Sequence, residues 1–306
     1  MPKYAVEIKK DEINPLILVK LDEDIFAEIL FQGATLNSLY LKNENRLYGY
    51  ELNKTIDFSD SRSSFLFPFP NRIRDGKYTF DGKNYHFPVN EPAKNNAIHG
   101  FLNEQIFDLV HFRSNENNIE IKLTYQYLGD REYYPFPFSV EVTYLFYQSN
   151  LVVNFRVTNT GVNRMPSGFG WHPYFKSAEY RVDDIVLKLP ELQEIELDLR
   201  SIPVGTKRKY DHFNKPNPVN KSEFDSLYEL KQLKEGLWWR YPSDKLKMEM
   251  IYDEAIIYLQ LYTPSNRQSI AIEPMTCTID AFNSGLGLNV LSPEDNFELA
   301  IMLKWN

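Results

Sequence analysis

The chain is short of the residues that staple or punctuate small folds, with one cysteine, Cys277, and 13 glycines in 306 residues. A single thiol excludes an intrachain disulfide. Lying just beyond the apolar run 269–272, it reads as a small buried residue rather than a nucleophile. No stretch approaches the about 20 uninterrupted apolar residues that a membrane-spanning helix needs. The opening Met1-Pro2-Lys3-Tyr4-Ala5-Val6-Glu7 has no apolar signal core. No membrane partner is therefore expected, and the cytoplasm is the expected compartment. Clustered positive charge is missing too. The formal net charge is −8, the acids are scattered, and the densest basic stretch is 207–209, which argues against a nucleic-acid partner. His or Cys pairs at ligand spacing, a Gly-rich phosphate loop and a G-x-S-x-G elbow are all absent, so no metal and no cofactor is expected. Linker-like tracts and clear internal repeats are also lacking, and helical periodicity is confined to short candidates around 222–230 and 243–248.

Aromatic residues, by contrast, make up 15% of the chain, mostly Tyr and Phe. They suit pleated, half-buried surfaces and can also wall a polar cleft. The dominant pattern is period-two alternation. Ile119, Ile121, Leu123, Tyr125 and Tyr127 alternate with polar residues, as do Val140, Val142, Tyr144 and Phe146, and then Leu151, Val153, Phe155 and Val157. These predict antiparallel strands with one face in the core. Gln148-Ser149-Asn150 and Asp81-Gly82 are the hairpin turns between such runs. The Pro- and Asn-rich stretch 213–220 reads as a surface loop. An all-β chain, residues 1–306 as one large antiparallel β-sandwich, is the economical architecture.

Five histidines are present, in different settings. His86, His111 and His212 read as structural or surface residues. His99 precedes Gly100 where a polar turn enters an apolar segment. His172 lies in Gly168-Phe169-Gly170-Trp171-His172-Pro173-Tyr174-Phe175, where the glycines permit close approach and Pro173 biases His172 toward extended backbone. A histidine aimed at a cleft there suits proton transfer near neutrality, and the alternative is a satisfied core histidine. Glu273 ends the apolar run 269–272 on the opposite strand face from Ile270 and Ile272. It is either a base at a strand exit or an edge-protecting charge, and Pro274 predicts that the strand ends or bulges there. Asn71-Arg72 follows a rigid Phe/Pro approach. Arg72 offers a planar fork for hydroxyls or a carboxylate, or else a structural ion pair. Asp225, just beyond the loop at 213–220, is a further candidate.

Taken in order, these segments resemble the aldose 1-epimerase (galactose mutarotase) family. The matching pieces are Gly33-Ala34, Pro70-Asn71-Arg72-Ile73 with Gly76 and Tyr78, His99-Gly100-Phe101, Gly170-Trp171-His172-Pro173-Tyr174-Phe175, Phe224-Asp225, Glu273-Pro274-Met275-Thr276 and Asp280-Ala281-Phe282-Asn283. The resemblance implies a β-supersandwich with few short helices. It further implies a catalytic base at Glu273, a general acid at His172, and a second active-site histidine at His99. Arg72, Asn71 and Asp225 would hold sugar hydroxyls, and Trp171 or Phe282 would stack on the sugar's apolar face. The expected activity is interconversion of α and β anomers of a monosaccharide, an aldohexose, by acid–base ring opening without cofactor or metal. One carboxylate and one imidazolium suffice for it.

Departures leave the sugar open. The His172 segment matches the bacterial branch with Gly-x-His-Pro-Tyr-Phe, and the family's Pro-Gly-Glu stands here as Pro293-Glu294-Asp295. The alternatives are a non-catalytic carbohydrate-binding or regulatory protein on the same fold, and a glycoside hydrolase, which normally needs two flanking carboxylates. A hexose-6-phosphate 1-epimerase lacks the Arg cluster its substrate would call for. The chain is expected to be a monomer or homodimer.

Overall fold

The computed structural model of the chain describes residues 5–232, 236–241 and 246–306. The alternating segments form the strands Ile119–Tyr127, Phe138–Phe146 and Asn150–Asn159. In the second of these every odd position in register, from Phe138 to Phe146, is buried and every intervening one is half-buried. The three pair antiparallel, and with Asn296–Trp305 they make the centre of a nine-stranded sheet. An eight-stranded sheet packs against it. Phe155 of the first meets Phe65 and Phe169 of the second sheet's side at ring-centroid distances of 5.7 and 4.5 Å. A five-stranded sheet runs in simple order from Ala5–Lys9 to Glu44–Asn45, and three two-stranded ribbons complete the set. The largest cluster of buried apolar side chains reaches from Ile17 to Trp305 and draws on all three large sheets. The fold is thus an all-β, antiparallel supersandwich, and its α-helix is the single turn Ala281–Ser284 among the described residues.

Both hairpin signals hold. Tyr147 N–H donates to Asn150 O across the 148–150 turn. Asp81 and Gly82, with φ of +48° and +73°, join Lys77–Phe80 to Lys83–His86, the geometry of a type I′ turn.

Several expectations need correction. The helix candidate at 222–230 is instead the strand Asp225–Leu230, held between two neighbours of the eight-stranded sheet. Ladder pairing there outweighs a weak helical pattern. Residues 243–245 of the other candidate lie outside the described residues, and its end leads into the strand Lys247–Tyr252. The stretch 213–220 is not simply a surface loop. Phe213 and Val219 are buried, and Asn217–Pro218 adds a short strand to the nine-stranded sheet. The strand carrying Glu273 also does not stop at Pro274. It runs Ile270–Met275, with Pro274 opposite Leu259. On its other edge, where the pairing is broken between Gly170–Trp171 and Tyr174–Phe175, the proline forgoes one ladder bond, but Ile272 N–H and Thr276 N–H on either side still donate to Pro173 O and Phe169 O, so the strand continues.

Candidate active site

That interruption holds His172 and Pro173. The pairings Gly170 with Met275 and Tyr174 with Ala271 share one register, which sets His172 directly across from Glu273. On the other side Glu273 pairs with Gln260. Side chains two residues apart share a sheet face. The next row on the same face is therefore Asp225, Tyr262, Ala271 and Tyr174, linked by their own pairings. Gln260, Glu273 and His172, with Asp225, Tyr262 and Tyr174 beside them, form the floor of a cleft of about 410 Å³.

The wall comes from elsewhere. Arg72–Arg74 and Asn96–Ile98 pair as a ribbon, and at one end of it both chains pass through left-handed backbone, φ +56° at Asn71 and +67° at His99. These two residues lock each other. His99 N–H donates to Asn71 O at 2.8 Å, and Asn71 N–H donates to His99 Nδ1 at 3.2 Å. With Nδ1 accepting, the neutral ring carries its proton on Nε2. At Gly100, φ +66°, an added Cβ would sit 2.2 Å from Phe67 O, so only glycine lets this turn close on the core. Gly168 plays the spacing role expected of it, since a Cβ there would meet Cys277 Sγ at 2.3 Å.

Glu273 Oε1 lies 3.4 Å from His172 Nε2, both side chains being almost wholly buried. Glu273 Oε2 and His172 Nδ1 have no hydrogen-bond partner among the described residues. The His172 backbone is clamped on its other edge, donating to Ser64 O at 3.0 Å and accepting from Ser63 N–H at 2.9 Å. Its ring stacks on Tyr174, with centroids 4.8 Å apart and planes at 18°, and meets His99 edge-on at 5.3 Å. Burial dominates the protonation of this group. It pushes His172 down to about 4. It carries His99 well below the usual histidine value, with His172 and Arg72 adding to the effect. Burial also raises Glu273 well above the usual carboxylate range, helped by the charge of Asp225 and opposed by Arg72. Burial therefore favours a neutral His172 and not the imidazolium expected from sequence. Desolvation disfavours whichever form is charged.

Arg72 is partly committed. Its Nε and Nη2 grip Glu91 at 2.8 Å each, and Nη1 donates to Asn71 Oδ1 at 3.0 Å. One N–H on each Nη remains for a ligand. Asn71 Nδ2 reaches Gln260 Oε1 at 3.4 Å, and Gln260 Nε2 reaches Asp225 Oδ1 at 3.4 Å, so wall and floor are joined through Gln260. Behind the wall, Arg200 acts as a clasp. It donates to Asp75, Asn96 Oδ1 and the carbonyls of Lys94 and Asn95, and its own carbonyl accepts from Asn96, which also holds Glu91.

The cleft thus brings together six residues singled out from sequence: Glu273, His172, His99, Arg72, Asn71 and Asp225. The other two are elsewhere. Trp171 is buried in the core with its Nε1–H donating to Ser63 O, because strand alternation turns it away from its neighbour His172. Phe282 packs on Phe69 and Tyr78 in the core. The aromatic rings at the cleft are instead Tyr174 and Tyr262. Gln260 was missed, although a lone amide in Tyr258-Leu259-Gln260-Leu261-Tyr262 is a readable polar exception. Glu91, committed to Arg72 from a loop, carries no such signal. Cys277 is buried, and burial pushes its thiol up to about 12, well outside the nucleophilic range. Among the described residues no group of His, Cys, Asp and Glu is arranged to hold a metal ion, and no helix is long and apolar enough to cross a membrane.

Comparisons with known proteins agree with this architecture. The rat galactose mutarotase is 34% identical over 169 residues, 53% of this chain and 48% of its own length. The uncharacterized protein YihR of Escherichia coli (strain K12) is 28% identical over 232 residues, 74% of this chain and 73% of its own. Among solved structures, a galactose mutarotase-like protein from Clostridium acetobutylicum superimposes with a TM-score of 0.90 at 20% identity, covering 100% of this chain and 99% of the other. Galactose 1-epimerase from Lactobacillus acidophilus gives 0.81 at 18% identity, covering 99% and 98%. The family model for aldose 1-epimerase matches residues 15–304, and the chain belongs to that family.

Proposed function

We propose that this chain, as one catalytic domain, interconverts the α and β anomers of a free aldohexose. The observation that carries the reading is the cross-strand pair of Glu273 and His172, 3.4 Å apart on the floor of a cleft walled by His99 and Arg72. A non-catalytic sugar-binding protein has no use for a buried, mutually adjacent acid and base whose remaining polar atoms have no partner among the described residues.

Between about pH 4 and the raised value of Glu273, the pair holds one proton. Its reactive arrangement carries that proton on His172. Glu273 removes the proton from O1, the O1 electrons form the C1 carbonyl, and the C1–O5 bond pair goes to O5, which takes the proton from His172. The proton count of the pair is unchanged. Rotation about C1–C2 presents the other carbonyl face, and the same groups run in reverse to close the ring. His99, with its proton on Nε2, hydrogen-bonds the ring oxygen. Arg72, Asn71 and Asp225 hold hydroxyls, and Tyr174 and Tyr262 offer the apolar contact. Polarimetry on fresh α-D-glucose and α-D-galactose is expected to show mutarotation faster than buffer, and Glu273→Gln is expected to remove the excess. No excess with any of a panel of aldoses would sink this reading in favour of a binding protein.

A further inference from the structure

Among the described residues the three large sheets end in outer strands that are nearly all blunted against the addition of another strand. Glu44–Asn45, Phe65–Leu66 and Asn217–Pro218 are two residues long. Asp108–Ser114 is broken by a bulge between Leu109 and His111. Pro203–Tyr210 carries Lys207, Arg208 and Lys209 in a row, a basic edge that repels its own copy. Ala5–Lys9 is the exception. It is regular, each of its residues pairs in register with Leu16–Lys20, and no strand lies on its other edge.

This edge also has apolar surface to cover. Ile8 pairs with the buried Ile17 and so points to the core face of its sheet, yet it is 37% exposed. It borders a hollow of about 580 Å³ together with Ile13 and Ile106, which are 64% and 62% exposed. Phe31, Phe107 and Leu109 line the same hollow. Three exposed isoleucines around one concavity mark an interaction surface, unlike apolar residues scattered singly over a solvated face.

Charge decides what covers it. Glu7 and Lys9 flank Ile8 on the opposite sheet face, and neither has an ion-pair partner among the described residues. When a strand pairs antiparallel with its own copy about a two-fold axis, one residue lies opposite itself and the rest are set symmetrically about it. Centring on Glu7 or on Lys9 opposes like charges. Centring on Ile8 sets Glu7 opposite Lys9 of the second copy, and Lys9 opposite Glu7 of the second copy. Of the registers open to Ala5–Lys9 only this one pairs unlike charges, and it brings the two Ile8 side chains together on the core face, beside the hollow. The charges thus guard the edge against an arbitrary strand and admit its own copy in a single register.

We infer that this edge is a self-docking surface, and that the chain forms a two-fold homodimer in which the Ala5–Lys9 strands of two copies pair antiparallel about Ile8. The two five-stranded sheets then become one continuous sheet. The inference stands apart from the anomer-interconverting reading, since Glu7, Ile8 and Lys9 lie outside the cleft.

The test is sedimentation velocity over a concentration series on wild type, Glu7→Lys, Lys9→Glu and the variant carrying both changes. Wild type is expected to show a monomer–dimer equilibrium. Each single change turns two cross-strand attractions into repulsions and is expected to weaken dimerisation about tenfold. The double variant is expected to regain the wild-type constant. Disulfide trapping reads the register. Directly opposed Cα atoms lie about 4.5–5.5 Å apart, within disulfide range, whereas the two copies of residue 7 would be about 8 Å apart. Ile8→Cys is therefore expected to cross-link under mild oxidation and Glu7→Cys to remain a single chain on a non-reducing gel. Both positions are exposed, and the native Cys277 is buried and does not compete. A wild type that stays monomeric throughout, or a dimer indifferent to both single changes, overturns the inference. So does a double variant that stays weak, or an Ile8→Cys chain that cross-links no faster than Glu7→Cys.

Discussion

The nine-stranded sheet and the floor of the cleft are made of the same material and read very differently. In Phe138–Phe146 buried and half-buried positions alternate without exception, whereas Ile270–Met275 is buried at all six positions. One face of the first strand is wetted, and the second is covered on both faces. Burial in the long sheet therefore reports stability. At the floor the same burial holds a carboxyl and an imidazole in forms that water would not favour.

The largest effect expected from this contrast is at the floor. His172→Gln should lower kcat by about 10²–10⁴-fold in polarimetric assays, the usual worth of a positioned acid or base, with little change in Tm. In wild type, kcat/KM is expected to fall as pH drops through about 4, where the pair takes up a second proton. A limb near the ordinary histidine value would break the claim that burial governs the site. In the long sheet, Phe155→Ala should cost about 3–5 kcal/mol in denaturant unfolding, with kcat/KM unchanged wherever the protein is still folded. A selective loss of activity there would erase the distinction. Smaller is Arg200→Ala, expected to raise KM about tenfold with kcat nearly constant, because the clasp acts on Arg72 through Asn96 and Glu91. The smallest is a change in stability. Glu273 keeps its proton in the folded chain and releases it on unfolding above its ordinary value of 4.5. The wild type therefore loses stability as pH rises from there toward the raised folded value. Glu273→Gln escapes that loss, and its Tm should exceed wild type by a few degrees at pH 7 but not at pH 4.

What could be read in advance follows from the same contrast. Alternation announced the long strands because each has a wet face, and Asp81-Gly82 announced its turn because few residues accept φ > 0 at both positions. The strand Asp225–Leu230 hid behind a helix-like pattern, and Pro274 suggested an end that its register does not show, because both depend on what lies across the sheet. His172 and Glu273 stood out as polar residues in apolar company, but nothing local says that they face each other, since that is a property of pairing between distant segments. Trp171 was misplaced as a sugar-facing ring for want of the alternation that turns His172 in and its neighbour out. The wall was least legible. Arg72 was visible, but its partner Glu91 and the Arg200 clasp sit in loops with no periodicity to mark them.

The clasp has a consequence on another timescale. The reacting pair is fixed by sheet register, where a one-residue shift would turn every side chain to the wrong face, so insertions there are lethal to the chemistry. Arg200 sits at the tip of a turn and reaches the wall through loop carbonyls, where lengthening and substitution are tolerated. On the proposed function, descendants of this chain are free to change which sugar they hold by remodelling one turn, while inheriting the Glu273–His172 pair unaltered.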